Sequence, residues 1–96
     1  MIWILSKSSR LDKKFMVKNT ENNKVIHFGA KSYSDFTLHK DEKRKMNYIA
    51  RHSANEDFND LNKASAWARW LLWNKATLIG SVRDMEKKFK IKIKIL

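Results

Sequence analysis

The last residues of the chain, Lys90-Ile91-Lys92-Ile93-Lys94-Ile95, alternate charged and apolar side chains without a break. Successive side chains of a strand point to opposite faces, so a period of two predicts a β-strand with isoleucines on one face and lysines on the other. A lone strand of this kind is not stable in water. It requires a neighbouring strand for its backbone and an apolar layer for its isoleucines. The rest of the chain must supply both. Ile2 to Leu5 is a short apolar run and predicts a first strand. Phe15-Met16-Val17 and Val25-Ile26-His27-Phe28 flank the turn formers Asn19-Thr20-Glu21-Asn22-Asn23, which predicts a hairpin with a loop longer than the tightest type. Gly29 is expected to end the second hairpin strand or to take a backbone angle closed to other residues. The C-terminal strand is expected beside the first strand or the hairpin, in an antiparallel or mixed sheet.

Between hairpin and terminal strand the periodicity changes. Lys31 to Lys40 reads as an ordered loop with one short helical turn, anchored by Tyr33, Phe36 and Leu38. Asp41-Glu42 opens a helix to about His52, with acids in its first turn and Arg51 and His52 in its last. Its apolar stripe is narrow: Met46, Ile49 and Ala50. A polar loop anchored by Phe58 leads to a second helix from Leu61 or Asn62 to Trp73, with Asn74 as its stop. Thr77 caps a third helix through about Phe89, in which Leu78, Val82, Met85 and Phe89 form a core stripe. The expected class is α+β: a small sheet made of the N-terminal strand, the hairpin and the C-terminal strand, packed on about three helices in a single domain over residues 1–96.

Composition narrows the function. Hydrophobic residues are 43% of the chain, enough for a core in a domain this small. There is no cysteine, so disulfides, thiolate metal sites and zinc fingers are excluded. Two glycines cannot build a phosphate loop. No apolar stretch approaches the roughly 20 residues of a membrane span, and the start lacks the features of a secretion signal, so a non-secreted protein is expected. Lys and Arg number 21 against 10 acids, a net charge of +11. Solubility alone asks for roughly 2 to 8 charges, so the excess points to a polyanionic partner.

Two basic groups are the candidates for that contact. Lys40, Lys43, Arg44, Lys45 and Arg51 lie on or beside the first long helix. Arg83, Lys87, Lys88, Lys90, Lys92 and Lys94 run along the last helix and strand. Both are expected to neutralise phosphates without reading sequence. For Lys90, Lys92 and Lys94 the competing reading is protection of an exposed sheet edge. The segment Trp67-Ala68-Arg69-Trp70-Leu71-Leu72-Trp73 holds three indoles. Trp67 and Trp70 are expected in the core. Trp73, together with Arg69, is left to stack on a base or to anchor a protein interface. His39, Asp41, His52 and Glu56 are acid, base or metal-ligand types, but His39-x-Asp41 and His52-x-x-x-Glu56 are common spacings. No catalytic residue, metal site or cofactor is expected.

The run Ile26-His27-Phe28-Gly29-Ala30-Lys31-Ser32-Tyr33-Ser34-Asp35-Phe36-Thr37-Leu38-His39-Lys40-Asp41, the stretch Arg44 to His52, and Trp67 to Leu78 with its Trp-Leu-Leu-Trp-Asn-Lys core carry a resemblance. They resemble small basic proteins of nucleocytoplasmic large DNA viruses over about residues 24 to 91. Those proteins often have Pro after Trp-Asn-Lys, where Ala76 stands here. The resemblance brings no catalytic residues. It implies a genome-neutralising protein or a capsid or core component, in host cytoplasm or virion. The expected function is therefore a small, basic, non-enzymatic protein that binds nucleic acid, the viral genome, by phosphate neutralisation. The alternative is a minor virion component that meets an acidic protein through a Trp-rich surface. A metal-dependent nuclease is the third reading.

Overall fold

The computed structural model describes residues 1–96 and is an α+β fold. Its elements are β1 (Ile2–Lys7), β2 (Lys13–Asn19), β3 (Val25–Ala30), α1 (Phe36–His39), α2 (Glu42–Ser53), α3 (Ala64–Leu71), α4 (Leu78–Phe89) and β4 (Lys92–Ile95). The strands form one mixed sheet in the order β3-β2-β1-β4. β1 and β2, and β2 and β3, pair antiparallel. The alternating C-terminal strand lies parallel to β1, with Ile2 opposite Lys92 and Leu5 opposite Ile95.

The helices cover one face of the sheet. Trp3 and Leu5 of β1, Val17 of β2, Ile26 and Phe28 of β3 and Ile93 of β4 point into it. They meet Trp67 and Leu71 of α3, Leu72 just beyond it, and Val82 and Met85 of α4. The indoles of Trp3 and Trp67 lie 4.8 Å apart at the centre, and Trp67 Nε1–H donates to the Leu61 carbonyl at 2.9 Å. Each large ring buried here removes 150–250 Å² or so from water, which is how a chain without disulfides holds together. The stripe of α4 faces the core as its spacing predicts, and Thr77 caps it by accepting the Gly80 N–H at 3.0 Å.

Three expectations are corrected. The strand starts at Lys92 rather than Lys90, because Lys90, at φ 53, closes α4 in a left-handed cap and the chain turns directly into β4. The tryptophan helix ends at Leu71, so Trp73 stands beyond it and its direction does not follow from helical geometry. In α2, Met46 is exposed and no residue is fully buried; Tyr48 and His52 face inward, because Tyr48 packs on Trp73. No helix is long and apolar enough to cross a membrane.

Candidate functional site

A cavity of about 440 Å³ opens between β3, α2 and the residues after α3. Gly29, Ala30, Ala68 and Leu72 give it a small, apolar lining, and Tyr33, Tyr48 and Trp73 contribute rings. Its cations are Lys14, Arg44 and Arg51, with His52 beside them. Gly29 makes the close approach possible. It sits at φ +79, and a β-carbon there would fall 2.7 Å from Leu72 Cδ1.

The local sequence fixes each wall. Asp35, buried, caps α1 by accepting the Thr37 N–H at 3.0 Å, and it also pairs with the Lys14 ammonium and accepts from the Thr37 hydroxyl. Lys40, left-handed at φ 55, turns the chain from α1 to α2. Asp41 then caps α2, accepting from the N–H groups of Lys43 and Arg44 at 3.0 and 3.3 Å. Arg44 and Arg51 are seven residues apart, two helical turns, so they share one side of α2 and both reach the cavity. Four rings run in a ladder from α1 to the end of α2: His39 on Trp73, Trp73 on Tyr48 at 4.3 Å and 4°, and Tyr48 on His52 at 4.2 Å. Burial, assisted by the nearby Glu56 charge, pushes the Tyr48 phenol up to about 12, so it stays protonated at neutral pH.

A second cavity, of about 350 Å³, lies where β1 ends, β2 begins and β3 ends. Lys7, Lys13, Lys14 and Lys31 line it, with Ser8 and Thr37. The two cavities share Lys14 and Asp35, so Arg44 and Arg51 on one side and the lysines on the other belong to one continuous basic region.

Within it only Lys14 is paired, with Asp35. Only Arg10–Asp12 and Lys14–Asp35 join a Lys or Arg to an acid, which leaves all but two of the 21 cations without such a partner. The acids serve the backbone and neutral side chains instead. Asp57 and Asp60 accept backbone N–H groups in the loop before α3. Asp84 takes the Asn74 amide, Glu86 takes the Ile93 N–H, and Glu56 meets His52 at 3.1 Å.

The basic residues predicted from sequence divide. Arg44 and Arg51 line the first cavity, with exposed Lys43 on the same helix. Lys40 donates to the Thr37 carbonyl and Lys45 lies over the Phe36 ring. Arg83, Lys87, Lys90, Lys92 and Lys94 are exposed on α4, its cap and β4, at the opposite edge of the sheet from β3; Lys88 lies over Trp70. The predicted groups therefore form two separate surfaces. Arg69 and Trp73, the expected stacking pair, are used internally. Arg69 donates to the Trp73 carbonyl at 2.8 Å and lies 4.2 Å from the Trp70 ring, and burial lowers its pKa. None of the four tryptophans is exposed. His39 and His52 stand at opposite ends of the ring ladder, and no three His, Asp or Glu side chains gather as metal ligands.

Sequence reasoning missed Lys7, Lys13, Lys14, Lys31 and Tyr33. A hairpin register would have exposed the cluster: Lys13 pairs opposite Ala30, which brings Lys31 to the same end of the sheet, and Lys7 pairs opposite Phe15.

In class this is a small α+β fold with a largely unpaired cationic region and an aromatic-walled cleft. The model of a family of unknown function, DUF5754, matches residues 3–52, just over half of the chain, and the protein belongs to that family. The matched stretch holds the whole lysine cavity and every residue of the larger cleft except Ala68, Leu72 and Trp73. No curated protein and no solved structure matches the chain.

Proposed function

We propose that the protein binds nucleic acid without catalysing a reaction, and that the contact is made by the basic region of the two cavities. The observation that carries this is the segregation of charge: the acids mostly cap helices and turns, while Lys7, Lys13, Lys31, Arg44 and Arg51 of the two cavities have no carboxylate partner. Phosphates supply the missing counter-charge, and their own counterions leave on binding. Asp41 is occupied as the cap of α2 and His52 is paired with Glu56, which supports a binding role over a hydrolytic one. The resemblance to basic proteins of large DNA viruses supports a viral genome as the polymer and the host cytoplasm or the virion as the location.

The test is a binding isotherm repeated from low to moderate salt with a labelled oligonucleotide. Affinity is expected to fall steeply with salt. The Arg44→Ala/Arg51→Ala double variant should lower the slope of log K against log salt by about 1.4 on a single strand, at about 0.7 per lost phosphate contact. Lys92→Ala/Lys94→Ala, at the other edge, should change it less. An affinity indifferent to salt rejects the proposal.

A further inference from the structure

Among the aromatic side chains Tyr33 alone is exposed, at 73%. The Tyr33 N–H donates to the Ala30 carbonyl at 3.1 Å, which holds the residue in the turn after β3 at the lining of the larger cavity. The other tyrosine of that cavity is different. Both faces of Tyr48 are covered, by His52 and by Trp73. Tyr33 therefore offers the free ring face of the cleft.

Three features coincide here: a free ring, a cavity of about 440 Å³, and cations beyond it in two directions. Arg44 and Arg51 lie in the same cavity, and Lys7, Lys13 and Lys31 lie in the one that joins it at Lys14. Phosphate, base, phosphate is the order of charge and ring along a nucleic-acid strand. A phosphorylated peptide brings a single phosphate and matches only half of the arrangement.

We infer that the cleft takes one unpaired base of a single-stranded nucleic acid, stacked on Tyr33, with the flanking phosphates on the Arg44/Arg51 side and in the lysine cavity. This rests on the polyanion reading and adds the state of the strand. The volume falls within the roughly 300–1,000 Å³ of sites that enclose small molecules, which suits one nucleoside. A base paired in a duplex reaches such a cleft only by leaving its stack, which costs its pairing and stacking energy. An unpaired base enters without that cost, and stacking on an aromatic ring tolerates any base.

The experiment compares a labelled dT12 strand with a 12-base-pair duplex at one fixed low salt, using the full chain and its Tyr33→Ala and Tyr33→Phe variants. Tyr33 is at the surface, so both variants keep the fold. The native chain should prefer the single strand. Tyr33→Ala should weaken that strand by about fivefold or more, leave the duplex within roughly twofold, and be rescued by Tyr33→Phe. Equal effects on strand and duplex, or none on either, overturn the inference; so does tighter binding of a phosphotyrosine peptide than of dT12. If strand and duplex bind alike here while the salt series described above stays steep, the base site falls and the polyanion reading stands. Failure of both polymers to bind removes both.

Discussion

Tyr48 lies between the rings of His52 and Trp73, with the Glu56 carboxylate nearby. Ionising it would place an anion in a desolvated stack, so folding favours the neutral phenol. The sign of the consequence follows. Below pH 10 the phenol is protonated in both states. Between pH 10 and about 12 the unfolded chain releases its proton while the folded chain keeps it, so stability falls as pH rises through this interval. The group is partly exposed, so the full loss is about 2 kcal/mol. Tyr48→Phe should remove that component. The urea midpoint of the native chain should therefore fall further between about pH 9.5 and 11.5 than that of Tyr48→Phe; identical pH slopes contradict this account. The sequence marks Tyr48 only as one polar-aromatic position in a basic helix. Its partner Trp73 is 25 residues away, beyond the end of α3 at Leu71.

At the scale of elements, α2 is the least anchored of the long helices. It contains no fully buried residue and is tied to the rest by the Tyr48–Trp73 stack and by Lys45 over Phe36. Segments with few buried contacts open at lower free energy than the core. Amides of α2 should exchange with solvent faster than those of β2 and α4. Trp73→Ala removes the stack, worth about 1 kcal/mol beyond its area, and should reduce α2 protection about tenfold while the amides of Val17 and Met85 keep theirs. Uniform loss across all elements would show that α2 is held by other means. Element types were legible because period two and the α4 stripe are local signals. The face of α2 was not, because Met46, Ile49 and Ala50 offer too few apolar groups to decide which side is buried.

For the whole molecule, +11 on 96 residues is self-repulsion that only two Lys or Arg ion pairs, Arg10–Asp12 and Lys14–Asp35, relieve. Moderate NaCl should raise Tm by screening, and a polyphosphate at equal ionic strength should raise it further, because a ligand of the folded state adds its own binding free energy. A Tm that falls with salt, or no difference between the two additions, would argue against a folded-state polyanion site.

Cationic excess, the absence of cysteine, the strand alternation and the helix caps reside in local residue order, and the last two sufficed to establish the α+β class. Which cations stand together did not reside there. Lys7, Lys13, Lys14 and Lys31 are scattered among the first 31 residues, and Arg44 and Arg51 belong to another element. Strand register and the close packing of Leu72 on Gly29 bring them into one region, whereas β4 takes Lys92 and Lys94 to the far edge. Charge is additive along a chain, but proximity is set by long-range pairing, and only the folded arrangement supplies that.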